Sequence, residues 1–196
     1  MKYSLDLACD SSQEWVDTVM DDFDSFLQDH ADCERKASSM AMSFVAKYPD
    51  RLEIIPHMIE TAVEELEHFQ DVYKLMETRG VPLTKEMKQD LYIKDLIKLA
   101  RTGREERFID RMLIASVVEC RGAERFRMVE EALPEEEAET KRFYKRLWTS
   151  EAKHGNIFVK LLFHYYDEVS IYKRLKELIA AEAEILQGLP LRAALH

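Results

Sequence analysis

The chain has 196 residues, 46% of them apolar and 34% charged, with 5 Gly and 5 Pro, too apolar for a disordered chain and too poor in turn residues for an all-β fold. Twenty-eight basic against 38 acidic side chains leave a net charge of −10, which disfavours nonspecific nucleic-acid binding but not a local basic patch. The 3 cysteines include no C-x-x-C pair, which argues against a disulfide framework, a structural zinc site and a rubredoxin-like iron centre.

Low Gly and Pro with abundant Glu, Lys, Leu, Met and Ala favour helices. Ser11-Ser12-Gln13-Glu14 offers a capping box that opens a helix over 12–48, which is open to a break, and residues 1–11 read as a loose N-terminal segment. Asp50-Arg51-Leu52-Glu53 resembles a second box, for a helix over 52–79 that Pro56 kinks or delays. Gly80-Val81-Pro82 ends that helix, and Thr84 can cap the next, over 85–101. Further helices are expected over 104–132, over 135–167 from Pro134 and its three following acids, and over 168–187. Four of these are long enough for a bundle, with 85–101 as the crossover. The expected architecture is a single all-α four-helix-bundle domain over 1–196 with an additional C-terminal helix. The longest charge-free stretch, 37–46, is too short for the roughly 20 residues of a membrane span. No basic segment followed by an apolar one opens the sequence, so the expected location is the cytoplasm.

Apolar residues recur at three- and four-residue steps: Phe23, Phe26, His30, Ala37, Ala41 and Phe44; Met58, Ala62, Leu66, Phe69 and Tyr73; Phe108, Met112 and Ala115; Phe143, Leu147, Phe158 and Leu161. Carboxylates interrupt these seams. Glu34 falls between His30 and Ala37, and Glu119 ends the run from Met112 to Val118. Glu65 and His68 lie three apart beside the second seam, and Glu151 and His154 lie between Leu147 and Phe158. Four converging buried carboxylates repel one another unless a strong positive charge sits among them, and a pair of divalent metals supplies it.

The spacing repeats. Glu34 precedes Glu65 by 31 residues and Glu119 precedes Glu151 by 32, and each second Glu begins an E-x-x-H whose two side chains share a helix face. Glu124 in place of Glu119 would give a spacing of 27 and break the match. Four carboxylates, two imidazoles and no thiolate, a lone Glu from two helices and an E-x-x-H from two others, match the ferritin-like carboxylate bundles and point to iron or manganese. The E-x-x-H glutamates are expected to bridge the metals, with Glu34 and Glu119 terminal.

The blocks around these residues resemble the MiaE-type tRNA hydroxylases: 29–37, 64–69, 79–83, 119–126, Phe143-Tyr144 and 150–154, within a resemblance running from about Trp15 to Glu184. The resemblance implies a non-haem diiron centre that uses O2 to hydroxylate the isopentenyl group of 2-methylthio-N6-isopentenyladenosine beside the tRNA anticodon. By position it places the iron ligands on Glu34, Glu65, His68, Glu119, Glu151 and His154, the six residues the helix spacing selects. It also implies tRNA as the substrate partner and an external electron donor, an electron-transfer protein or reductase, since no flavin or nicotinamide motif is present. A ferritin-like oxidase, peroxidase or iron-handling protein would use the same six ligands, and a metal-free helical interaction module is the third class. The oligomeric state, monomer or dimer, stays open.

Two basic stretches are candidates for meeting RNA phosphates. One is Lys85, Lys88, Lys94, Lys98, Arg101, Arg104, Arg107 and Arg111, eight bases against six acids over 85–111, in which Arg101, Arg104, Arg107 and Arg111 step by three or four as one helical face; the other is Lys141, Arg142, Lys145 and Arg146. His57, His164 and His196 lie off the repeat, and His30, one turn before Glu34 on the core face, reads as a satisfied core histidine or as a group that supports a ligand; Trp15 and Trp148 fit packing roles, and Cys33 and Cys120 neighbour expected ligands as small fillers.

Overall fold

The computed structural model describes residues 6–85 and 89–196. Among them there are seven α-helices and no strand: α1 Gln13–Asp21, α2 Phe23–Lys47, α3 Ile55–Arg79, α4 Leu91–Lys98, α5 Arg104–Ala132, α6 Ala138–Leu162 and α7 Glu168–Gly188, with a 3-10 turn at Glu135–Glu137 before α6. The expected break in the first helix falls at Asp22, whose carboxylate accepts from the Ser25 N–H and caps α2.

Several helix starts differ from the sequence expectation, each for a local reason. α1 is capped by Ser12, whose hydroxyl accepts from the Trp15 N–H at 3.2 Å. Ser11 instead bonds Glu124 through both its N–H and its hydroxyl, at 2.8 and 2.9 Å. Residues 9–11 are therefore tied down rather than loose, while 1–5 lie outside the described residues. α3 starts at Ile55 with Pro56 in its first turn, where a missing N–H costs nothing. The expected 85–101 helix is shorter, and its cap is Asp90, which accepts from the Ile93 N–H at 2.9 Å; 86–88 lie outside the described residues. The expected 135–167 helix stops at Leu162, and Asp167 caps α7 through the Ser170 N–H. Gly80 ends α3 as expected, at φ 71°.

The described chain divides into two compact units. One comprises 17–85 with 192–195 and is built on the pairing of α2 with α3. Phe26, Leu27, Ala41 and Phe44 on α2 and Met58, Ala62, Val72 and Met76 on α3 are buried. The α3 seam follows the expected stripe at Met58 and Ala62 and then shifts by one position: Glu65 and Val72 are buried, whereas Leu66 and Tyr73 are exposed.

The other unit comprises 6–16, 89–191 and His196, with α5 packed on α6, α7 and α4. Its α5 is buried on most sides, including Arg121 and Asp110. Arg121 donates to Glu182 on α7 at 2.8 and 3.0 Å, to Glu124 at 3.2 Å and to the Cys9 carbonyl at 2.9 Å. The Tyr92 hydroxyl on α4 bonds the same Glu182 at 2.9 Å. A fully buried guanidinium is tolerated because its donors meet a carboxylate pair and a carbonyl. Asp110 likewise accepts from Arg101 and Arg174, which join the loop before α5 to α7. Burial alone would raise the Asp110 carboxyl, but the hydrogen bonds from Arg101 and Arg174 hold it below its ordinary 3.8.

Candidate metal centre

In the α2–α3 unit, Glu34 and Glu65 are buried at 3% and 1% exposure and His68 is half-buried. Each offers one donor atom, and these lie within 4.8 Å of one another. The His68 Nδ1 is 3.5 Å from Glu65 Oε2 and 3.7 Å from Glu34 Oε2. The other oxygen of Glu34 meets the fully buried His30, whose Nε2 is 2.7 Å from Oε1.

In the α5–α6 unit, Glu119, Glu151 and His154 are all buried and offer donor atoms within the same 4.8 Å limit. The His154 Nδ1 is 3.5 Å from Glu151 Oε2. Helix approach here depends on Gly155: a Cβ at this position would lie 2.5 Å from Cys120 Sγ and 3.2 Å from the Ser116 carbonyl oxygen. Ser116 donates its hydroxyl to the Gly155 carbonyl at 2.5 Å, which clasps the two helices at the turn that carries the donors. Burial pushes the Cys120 thiol up to about 12, against the pull of the neighbouring Arg121 charge.

Each unit thus assembles two carboxylates and one Nδ1 from one lone Glu and one E-x-x-H. The donor set tests well against a divalent first-row ion. Such ions bond imidazole nitrogen and carboxylate oxygen at roughly 2.0–2.2 Å. Donors at right angles about an ion are then about 3 Å apart and opposed donors about 4.2 Å, at that bond length. Separations of 3.5 and 3.7 Å are long for hydrogen bonds but suit donors that share an ion. Oxygen-rich sets with imidazole suit iron or manganese.

Glu124, the alternative to Glu119, is occupied by Ser11 and Arg121 instead. His30, Ser116 and Gly155 were not selected by the repeat, although a mid-helix glycine directly after E-x-x-H is itself a signal of close helix approach. His57 and His164 are exposed, while His196 stacks on Tyr92 with ring centroids 5.0 Å apart.

The basic stretches are reordered by the structure. Arg101 precedes α5 and spends its donors on Asp110, so it does not continue a face with Arg104, Arg107 and Arg111; Lys88 lies outside the described residues. On α6 the stretch is longer than expected. Arg142, Arg146, Lys153 and Lys160, with Lys145 beside them and Thr149 and Asn156 between, follow steps of four and three along one face. The five bases are exposed, and the lone acid from 142 to 160 is the buried Glu151. Lys141, expected with this group, pairs with Glu135 at 2.6 Å.

Comparison with known proteins gives a consistent picture. The chain matches the family model described as tRNA-(MS[2]IO[6]A)-hydroxylase (MiaE) over residues 2–196. It is 35% identical over 182 residues to the tRNA 2-(methylsulfanyl)-N(6)-isopentenyladenosine(37) hydroxylase of Pseudomonas putida, covering 93% of this chain and 87% of that protein. A protein of the same name from Salmonella typhimurium is 26% identical over 204 residues, covering 79% of this chain and 74% of the relative. Among solved structures, Protein 43 with aldehyde deformylating oxygenase activity from Synechococcus matches with a TM-score of 0.88 and 32% identity, over 95% of this chain and 92% of that one. The all-α, ferritin-like class expected from the sequence is borne out by this likeness.

Proposed function

Because the chain belongs to the MiaE family of tRNA hydroxylases, we propose that it hydroxylates the isopentenyl group of 2-methylthio-N6-isopentenyladenosine at position 37 of tRNA, with two irons, O2 and external electrons. The observation that carries this reading is the doubled donor set, one Glu and one E-x-x-H within each helical unit, all buried except the half-buried His68. We assign the metals to Glu34, Glu65, His68, Glu119, Glu151 and His154, as one diiron domain spanning 1–196. The match of the family model across residues 2–196 supports treating the chain as one domain.

A bound iron pair supplies the reduction of O2 and the oxidation of an unactivated C–H bond. The reaction balances as substrate C–H with O2, two electrons and two protons giving the alcohol and water. The chain's own residues do the rest. Four carboxylates offset the charge of two divalent ions, and the two imidazoles complete the set without a thiolate that an oxidant would consume. Burial of Glu34, Glu65, Glu119, Glu151 and His154 keeps water away from these donors. Gly155 and the Ser116 hydroxyl fix the α5–α6 spacing, so Glu119 keeps its distance from Glu151 and His154.

The α6 stripe supports an RNA substrate. At 1.5 Å rise per residue, Arg142 to Lys160 spans about 27 Å, enough to follow several phosphates. The electrons come from an electron-transfer protein or reductase, and the enzyme works in the cytoplasm with its tRNA. No helix among the described residues is long and apolar enough to cross a membrane.

The deciding experiment incubates iron-loaded protein with prenylated tRNA, a reductant and O2, then weighs the digested nucleosides. A gain of one oxygen on the isopentenyladenosine derivative, absent without iron, is expected. No gain from a preparation holding two irons and a competent reductant overturns the hydroxylase reading in favour of a diiron oxidase.

A further inference from the structure

The two half-sites share a composition but not their surroundings. Four residues before Glu34 on α2 stands His30, fully buried, with its Nε2 2.7 Å from Glu34 Oε1. A carboxylate only accepts hydrogen bonds, so the Nε2 carries the hydrogen. The His30 ring lies against Phe26, with centroids 5.9 Å apart, which limits its rotation. The oxygen of Glu34 that faces the donor set is the other one, Oε2, 3.7 Å from His68 Nδ1.

The equivalent turn of α5 has nothing comparable. Four residues before Glu119 stands Ala115, whose methyl group cannot donate, and three before it Ser116 donates its hydroxyl to the Gly155 carbonyl. The repeat that pairs Glu34 with Glu119 therefore does not extend to the group that restrains the first of them.

We propose that His30 is a positioning residue that commits one oxygen of Glu34, leaving Glu34 to meet a metal through Oε2 alone, and so makes the two half-sites unequal. The turn before Glu119 holds no histidine to restrain it in this way, only Ala115 and a Ser116 hydroxyl directed at the Gly155 carbonyl. The proposal rests on the diiron reading of the six ligands, and it needs neither O2 nor tRNA for its test. Partners of this kind, holding a ligand rather than the metal, typically change metal affinity 10- to 100-fold when removed.

The experiment is anaerobic titration of the metal-free protein with Fe(II), followed by Mössbauer spectroscopy of the ferrous product, for wild type, His30→Ala and His30→Gln. Wild type should take up two ions and give two distinct quadrupole doublets. His30→Ala should weaken one ion by about 10- to 100-fold and change one doublet, with helical content preserved in circular dichroism. His30→Gln, whose side-chain amide can donate to the same oxygen, should restore both. Wild-type affinity and doublets in His30→Ala overturn the proposal. A loss in His30→Gln equal to that in His30→Ala also overturns it, because the residue then acts through packing and not through its hydrogen bond. Failure of the diiron reading is separately visible: wild type itself would bind no iron, which would overturn both.

Discussion

Replacing Glu65 with Gln separates the cost of the site from its use. Glu65 is 1% exposed, and its donor oxygen lies within 4.8 Å of that of Glu34 in the same unit. At that separation and an effective dielectric of about 20, two unit negative charges repel by about 3 kcal/mol, before any offset from a protonated histidine. The metal-free protein carries this penalty; a bound ion reverses its sign. Glu65→Gln keeps the shape and removes the charge, so the metal-free variant should melt higher than metal-free wild type. For a chain of this length about 3 kcal/mol corresponds to roughly 6–12 °C, at about 2–4 °C per kcal/mol. Wild type should in turn gain about 2.7 kcal/mol when an ion is present at a hundred times its dissociation constant, whereas the variant should gain much less. Differential scanning calorimetry under anaerobic conditions, with and without Fe(II) or Mn(II), reads both shifts. A Glu65→Gln protein that melts below metal-free wild type and still gains the full wild-type increment from metal would refute the reasoning.

Three further outcomes follow from other parts of the molecule. The double reversal Arg146→Glu with Lys153→Glu should weaken tRNA binding at least tenfold at low salt, with iron content unchanged; the dependence of affinity on salt should become shallower by about 0.7–0.9 per lost phosphate contact, and unchanged tRNA affinity removes the α6 stripe from the interface. Gly155→Ala should cost about 1–3 kcal/mol in urea denaturation by forcing a Cβ against Cys120 Sγ and the Ser116 carbonyl; adding Cys120→Ala should recover part of that loss, and strict additivity of the two changes argues against the contact. Asp110 is held below its ordinary 3.8, so its stabilisation is complete above about pH 4 and is lost as the pH falls below that value. Asp110→Asn should therefore cost roughly 2 kcal/mol at pH 7, discounted for the partly exposed Arg101; in denaturation curves its difference from wild type should shrink toward pH 3, and a constant difference refutes the linkage.

The long helices and the repeat of Glu followed by E-x-x-H were legible because both depend on local spacing, and spacing is a property of sequence. Helix starts were less so. Thr84 and Asp90 are both competent caps, and tertiary packing decides between them. The second half of the α3 seam is shifted by one position because Leu66 and Tyr73 look more like core than Glu65 does, and carboxylates ordinarily prefer water. His30 looked like a satisfied core histidine, and whether it touches Glu34 depends on side-chain rotation that spacing does not set. The Arg121–Glu182 pair joins residues 61 positions apart, beyond any local pattern. The step of three from Arg101 to Arg104 is helical in sequence, yet the helix begins only at Arg104.

That each donor triad is complete within one pairing of consecutive helices bears on how the protein is made. During synthesis the first triad is complete once His68 has emerged, while the last donor of the second, His154, follows 86 residues later (154 − 68). At about 5–20 residues per second the interval is roughly 4–17 s. Throughout it, the nascent chain presents two carboxylates and an imidazole that can close locally, a short-range hairpin of the kind that folds quickly. If the six residues hold metal as proposed, a divalent ion that suits two carboxylates and an imidazole can meet the first triad before the second exists.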